Sequence, residues 1–237
     1  MHHGGTAHSH SHSHGHGHSH SHSHDEADPA RLLTQEFWDE RYSDGPIWSG
    51  QPNPLLVRYV TGLTPGRALD VGSGEGADVL WLAGQGWTVT GADISAVALA
   101  RAARQAEQAG PEVAARVTWQ QADILDWSPP ERHFDLVSAQ FMHLPQPQRD
   151  ALHRRLAAAV APGGTLLIVA HHPADLATVP RPFPAERFAT GEQMATVLDP
   201  AAWEIETAAP ERPGTGPEGN PVTLRDAVLR AVRRPAG

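Results

Sequence analysis

Between Arg67 and Ala170 short apolar runs alternate with Ala-rich helical stretches, and nothing else in the chain limits its fold as tightly. Short apolar runs bounded by breakers read as strands buried on both faces, and strands joined through helices pair in parallel, so the pattern commits the chain to an α/β sheet with helices on both sides. The spacing predicts strands at Ala68–Val71, Thr88–Ala92, Arg116–Gln120, Leu136–Ala139 and Thr165–Ala170, with helices at Ala77–Gln85, Ala96–Gln108 and Gln148–Val160. Pro162-Gly163-Gly164 should break the last helix and turn the chain into the fifth strand. Beyond Ala170 the sequence loosens through Pro173, Pro180, Pro182 and Pro184, which predicts an insertion over the sheet's edge. A helix near Gly191–Leu198 and two strands, near Trp203–Ala209 and Leu224–Ala231, should close the fold, with Pro210–Gly219 as the Gly/Pro-rich loop between those strands. No internal repeat is visible.

Ahead of this unit, Asp28-Pro29 is a helix start signal, acid at the N-cap and proline at the first helical position. The apolar stripe Leu32, Leu33, Phe37, Trp38, Tyr42 follows at helical spacing, and Asp44-Gly45-Pro46 stops it. A second start, Asn53-Pro54, opens a short helix through Leu55, Leu56, Tyr59 and Val60. Trp48, in the breaker-rich loop between them, is either a core plug or the wall of a ligand pocket. The expected organisation is a disordered tail over 1–27 and one folded domain over 28–237, with a helical cap at 28–66 and a lid-like insertion at 171–190.

Composition removes whole classes of chemistry. Of the 237 residues none is cysteine, which excludes disulfides, thiolate nucleophiles and Cys-ligated metals. Lysine is also absent, all 18 basic residues being arginine, so Schiff-base and P-loop lysines are excluded. A net charge of -9 argues against a nucleic-acid groove. No apolar run is long enough for a membrane span and no secretory leader is written, which points to a soluble cytoplasmic protein. Eleven of the 16 histidines lie in the first 24 residues. His8, His10, His12, His14, His16, His18, His20, His22 and His24 alternate with Ser or Gly, a pattern with no hydrophobic face to order it. Such a run can gather imidazoles around nickel, zinc or copper. The bland alternative is a purification tag or inert leader, for which contiguous histidines would be the more usual form.

The segment Leu69-Asp70-Val71-Gly72-Ser73-Gly74-Glu75-Gly76-Ala77 follows a predicted strand and opens a helix, the context in which a glycine motif marks a nucleotide site. It also fits the dinucleotide fingerprint, and Asp93, 21 residues beyond Gly72, stands where a ribose-binding acid belongs, so spacing alone leaves an NAD-binding oxidoreductase open. Charge discriminates: a pyrophosphate would face Asp70 and Glu75, whereas S-adenosylmethionine carries an ammonium and a sulfonium and no phosphate. Asp70 is placed to meet that ammonium directly or through water, and Asp93 to accept from ribose hydroxyls.

On these residues the chain resembles the class I S-adenosylmethionine-dependent methyltransferases, from about Phe37 to the C-terminus. The specific pieces are Ala68-Leu69-Asp70-Val71-Gly72-Ser73-Gly74-Glu75-Gly76, Gly91-Ala92-Asp93-Ile94-Ser95, Gln121-Ala122-Asp123-Ile124, Phe134-Asp135-Leu136-Val137, and Leu156 to Leu167 with Ala161-Pro162-Gly163-Gly164-Thr165. Phe37-Trp38-Asp39-Glu40-Arg41-Tyr42 followed by Ile47-Trp48 is similar to the N-terminal segment of the thiopurine and tellurite-resistance small-molecule branch. The resemblance implies a Rossmann-like, mostly parallel seven-stranded sheet whose last strand is antiparallel. It implies cofactor contacts at Trp48, Asp70, Gly72, Ser73, Gly74, Asp93 and Ile94, with Asp123 on the adenine amino group, Ile124 packed on the ring and Gln140 near the methionine end. Ser73 stands where cysteine or another small residue is often found.

Methyl transfer from a sulfonium is an in-line displacement, so the protein mainly aligns the acceptor and excludes water. A soft anion such as a thiolate or selenide needs no base; a hydroxyl or protonated amine does. The candidates are His143, past the fourth strand, and His171 in the pair His171-His172, past the fifth. The acceptor is expected to be a small molecule, since no aromatic-basic platform reads as a base-binding surface and the Pro173–Pro184 insertion suits a lid over a small pocket. A metal-handling or sensing protein that uses the fold only as a nucleotide scaffold is the reading from another class.

Overall fold

In a computed structural model the described residues are 30–235. The histidine run from His8 to His24 and the Asp28-Pro29 start signal lie outside them. The order is α1 (Gln35–Ser43), α2 (Pro54–Val60), β1 (Arg67–Val71), α3 (Ala77–Gly84), β2 (Thr88–Asp93), α4 (Ala96–Ala109), α5 (Pro111–Ala114), β3 (Val117–Gln121), β4 (Phe134–Gln140), α6 (Gln146–Ala159), β5 (Val160–His171), α7 (Gly191–Ala195), β6 (Trp203–Ala208), β7 (Glu211–Thr215) and β8 (Pro221–Arg233).

The sheet runs β3-β2-β1-β4-β5-β8-β6. β1 to β5 are mutually parallel, and β8 is antiparallel to both β5 and β6. Alternate residues of the central strands feed two cores. Leu69, Val71, Val137, Leu166 and Ile168 pack with Leu152 and Leu156 of α6 on one face, while Ala68, Leu136, Leu167 and Val169 pack with Leu56, Val60, Val79 and Leu82 on the other. Burial on both faces is why these strands read as unbroken apolar runs. Order within the strands sends the carboxyl ends of β1, β2, β4 and β5 to one edge, where sites in open α/β sheets form.

Three expectations are corrected. The first helix starts at Thr34, whose side chain accepts from Phe37 N, and Leu32 and Leu33 belong to a 3-10 turn at Arg31–Leu33. β5 begins at Val160, directly after α6, so Pro162-Gly163-Gly164 falls inside an irregular strand whose pairing with β4 shifts between Phe134 and Leu136. The loop expected at Pro210–Gly219 contains an eighth strand, β7. The amino-terminal half of β8 extends past β5 and offers β7 an antiparallel partner from Glu211↔Arg225 to Thr215↔Pro221, and edge position is what lets a strand carry Pro213.

Caps hold the elements that frame the site. Asn53 caps α2 through its side chain on Leu55 N, with Pro54 at the first helical position. Ser95 caps α4 on Ala98 N and donates its own hydroxyl to Asp39 of α1 at 2.6 Å, which docks the cap onto the sheet unit. Between β5 and α7, 3-10 turns at Pro173–Ala177 and Ala185–Arg187 lie in the insertion, which is tied down because buried Asp175 accepts from Arg225 N of β8.

Candidate functional site

The β1-to-α3 loop satisfies its own amides. Gly72 N and Ser73 N both donate to Ala92 O (2.8 and 3.1 Å), Gly74 N donates to Asp93 Oδ2 (2.8 Å), and Gly76 N donates to Ser73 O (2.9 Å). Anion sites at such loops work by aiming free N–H groups at the phosphate. Here four amides are spoken for, and what the loop presents is carboxylate.

Asp70, at the end of β1, is 3% exposed, and its Oδ1 has no hydrogen-bond partner, nor has the buried Ser73 Oγ. Burial, then Asp78, drives the Asp70 carboxyl well above the usual range against a hydrogen bond from Ser138, with Asp93 adding to the rise. Burial pushes Asp78 up to about 6, opposed by the Asn53 amide. Asp93 is also raised by burial, although Ser95 N (2.9 Å), Gly74 N and Ile94 N hold it down. An acid with an orphaned buried oxygen among two others is a site short of a cation.

Around this centre a polar chain links the cap to the sheet. Asp78 Oδ1 accepts from Asn53 N (2.6 Å), Asn53 Nδ2 donates to Gln140 Oε1 (3.0 Å), and Gln140 Nε2 donates to Ser138 Oγ (2.8 Å). Gln140 and Asn53 are thereby linked through Ser138 to Asp70. On the other side of Asp93 a cleft of about 460 Å³ is lined by Leu33, Thr34, Gln35, Ile94, Gln121, Ala122 and Asp123. Asp123 accepts from Leu125 N at 2.8 Å. Ile124, 8% exposed, belongs to the core cluster, and Ala122, equally buried, lines the cleft. The Ile124 carbonyl accepts from Arg155 of α6.

Trp48 is 55% exposed, which excludes the core-plug alternative. Its Nε1 donates to Tyr42 Oη (2.9 Å), and the pair sits over Gly74, where a Cβ would lie 2.8 Å from Tyr42 Oη at a φ of +51°. A Cβ on Gly72 would collide with Met142 Sδ. Glu75 does not face this space, contrary to the expectation that it would confront a ligand. It accepts from Ile47 N and Trp48 N, both at 3.2 Å, and forms an ion pair with Arg101, which also donates to Tyr42 O and Gly45 O. Its charge is spent on fastening the cap loop.

Past β4 and β5 the structure brings His143 and His171 together, ring centroids 5.2 Å apart and 18° from parallel. Phe141 lies 4.5 Å from His171, and Phe188 and Phe183 lie 4.7 and 5.4 Å from His143. Phe141 holds a φ of +56°, a conformation costly for an aromatic residue and concentrated at functional loops. His143 is buried with neither ring nitrogen hydrogen-bonded, and burial, then His171, Arg181 and Arg187, push it down to about 3. It is a neutral wall. His171 Nδ1 stands 3.5 Å from Asp226 Oδ1, and Asp226 Oδ2 accepts from Arg212 Nε at 2.8 Å. Burial alone would raise Asp226, but His171 and Arg212 hold it below the ordinary value. His172 points elsewhere, accepting from Ala174 N as the cap of a 3-10 turn. Neither Asp226 nor Arg212 carries a local sequence signal; both come from the pairing of β8 with β5 and β7. Among the described residues no group of three or more His, Asp and Glu could hold a metal, and no helix is long and apolar enough to cross a membrane.

Residues 68–164 match the family model described as a methyltransferase domain. The 2-heptyl-1-hydroxyquinolin-4(1H)-one methyltransferase of Mycobacteroides abscessus is 31% identical over 134 residues, 55% of this chain and 58% of that protein. The thiopurine S-methyltransferase of Gluconobacter oxydans is 37% identical over 70 residues, 27% of this chain and 32% of that protein. The alignments thus span less than two thirds of either relative. Among solved structures TehB from Haemophilus influenzae superposes with a TM-score of 0.61 at 20% identity, covering 84% of this chain and 66% of the other, a likeness of fold.

Proposed function

We propose that this chain, whose residues 68–164 match a methyltransferase domain, is a class I S-adenosylmethionine-dependent methyltransferase that transfers a methyl group to a small-molecule acceptor. The observation that carries the reading is the buried Asp70, its Oδ1 unpartnered beside Asp78 and Asp93, ahead of a loop in which four amides are already used. That combination favours an ammonium and a sulfonium and disfavours a diphosphate, so the dinucleotide alternative gains nothing from it.

In this reading Asp70 holds the ammonium, backbone of Gly72, Ser73 and Gly74 lies against the cofactor, Asp93 accepts from the ribose, and Ile94 with Asp123 borders the adenine in the cleft. Gln140, fixed by Ser138 and Asn53, orients the methionine end, and Trp48 closes over the loop. When bound, S-adenosylmethionine supplies an electrophilic methyl carbon on a sulfonium, open to in-line attack by an acceptor lone pair. The chain's own part is to place the acceptor and to exclude water, which the aromatic walls Phe141, Phe183 and Phe188 are suited to do. A planar acceptor is the kind of ligand an aromatic cluster takes, and the mycobacterial relative's name records a hydroxyquinolone. The proposal extends to a cytoplasmic location and to nickel, zinc or copper on the histidine run.

Calorimetric titration tests it. S-adenosylmethionine should bind, Asp70→Asn should weaken it by about 10- to 100-fold, the loss of one charge-assisted hydrogen bond, and NADH should not compete. Tight NADH binding with no affinity for S-adenosylmethionine would overturn the assignment.

A further inference from the structure

We infer that Asp226 is a positioning residue for His171, and that the pair, backed by Arg212, takes the proton from a hydroxyl-bearing planar acceptor lying against the aromatic cluster. The inference rests on the methyl-transfer reading and deepens it by naming the acceptor chemistry and the base.

Two histidines reach this space, and their surroundings separate them. His143 has no partner for either nitrogen and is enclosed by Phe183, Phe188 and the His171 ring. With no carboxylate to receive it, an imidazolium there would be a buried unpaired charge. His171 is different in kind. Its side chain is 20% exposed, so an acceptor can reach it, and its Nδ1 faces a 5% exposed carboxylate at 3.5 Å. That spacing is long for a hydrogen bond, as such contacts commonly are before substrate tightens them. A carboxylate at Nδ1 favours the tautomer with the proton on that nitrogen, leaves the Nε2 lone pair for the acceptor, and stabilises the imidazolium that forms.

The placement of Asp226 is a consequence of topology. β8 runs antiparallel to β5 in the register His171↔Asp226, so the carboxylate comes to the last residue of β5 from the neighbouring strand. β7 then brings Arg212 to the far oxygen at 2.8 Å. The added eighth strand thereby has a chemical purpose: the guanidinium keeps Asp226 ionised and fixes which oxygen faces His171. Other charged groups near the pair are Arg181 and Asp175 from the insertion.

The balance is simple. The acceptor's hydroxyl proton passes to His171 Nε2, its oxygen forms the bond to the methyl carbon, and the carbon–sulfur bond breaks with its electron pair staying on sulfur, which becomes a neutral thioether. A thiol that is already ionised needs no such base, and this supplies the discriminating test. The matched probes are 1-naphthol and naphthalene-1-thiol, assayed on the full chain by S-adenosylhomocysteine release. His171→Gln and Asp226→Asn should lower naphthol methylation by about 100-fold or more while naphthalenethiol methylation changes little. Independently of turnover, nitrogen NMR of the cofactor-free protein should show His171 protonated at Nδ1, and Asp226→Asn should shift it toward the other tautomer. Equal losses on both probes, or an unchanged tautomer, would make Asp226 merely structural and overturn the inference. Binding of S-adenosylmethionine with no turnover of either probe overturns the acceptor class, whereas no binding at all sinks the methyl-transfer reading itself.

Discussion

Glu75→Ala should cost stability first and cofactor affinity second. The carboxylate is 5% exposed, accepts two backbone amides of the cap loop at 3.2 Å, and neutralises Arg101. Removing one partner of a buried ion pair costs about 3–5 kcal/mol. Arg101 keeps the carbonyls of Tyr42 and Gly45, which places the loss near the lower bound, about 3 kcal/mol. For a domain of this size that is a fall in Tm of about 6–12 °C. Glu75→Gln keeps an oxygen for the two amides and should lose less. Because Tyr42 and Trp48 hang on this knot and cover Gly74, affinity for S-adenosylmethionine should fall with it. Urea denaturation and calorimetric titration on the same samples check both effects, and a cycle with Arg101→Gln should show a coupling of about 1–3 kcal/mol. If Glu75→Ala unfolds at the wild-type midpoint while affinity collapses, Glu75 faces the ligand after all and the tether argument fails.

Gly74→Ala should weaken S-adenosylmethionine binding and cost about 1–2 kcal/mol, since it places an L-residue at a φ of +51° and a methyl group against Tyr42 Oη; titration and thermal melts read both, and a neutral outcome would mean the cap does not rest on this loop. Asp78, raised to about 6 in the fold, should make stability depend on pH in a definite sense. Its contribution is fully present below the unfolded carboxyl value of about 3.9 and is lost as pH rises through about 6, because the unfolded chain ionises first. Asp78→Asn should flatten the decline between those limits in denaturation series, and an unchanged slope would refute it. Removing residues 1–24 should abolish uptake of nickel, zinc or copper in calorimetric titration and leave S-adenosylmethionine affinity intact; equal metal uptake by both chains would mark the run as inert.

Legibility followed the range of each interaction. The five central strands and the three helices between them were visible within a few residues, because burial on both faces writes itself as local apolar runs punctuated by glycine and proline. Asp70 and the glycines lie in one strand-turn-helix and Asp93 ends the strand that follows, positions that local spacing marks by itself. β7 was missed because its pattern is that of a loop: Pro213, Gly214 and Gly216 are poor strand residues, and only the overhang of β8 makes them pair. Glu75 was misread because its partner is 26 residues away on α4.

By itself the sequence determined the doubly covered parallel sheet, the loop at the end of its first strand, and a chemistry without thiols or lysines, all of which are set by residue type and local spacing. Tertiary structure alone decided where the charges point. It turned Glu75 away from the site, left Asp70 with an unpaired oxygen, and set Asp226 opposite His171. Those outcomes depend on strand register and helix docking, where side chains far apart in the chain compete for the same few buried partners, and no local pattern records which of them wins.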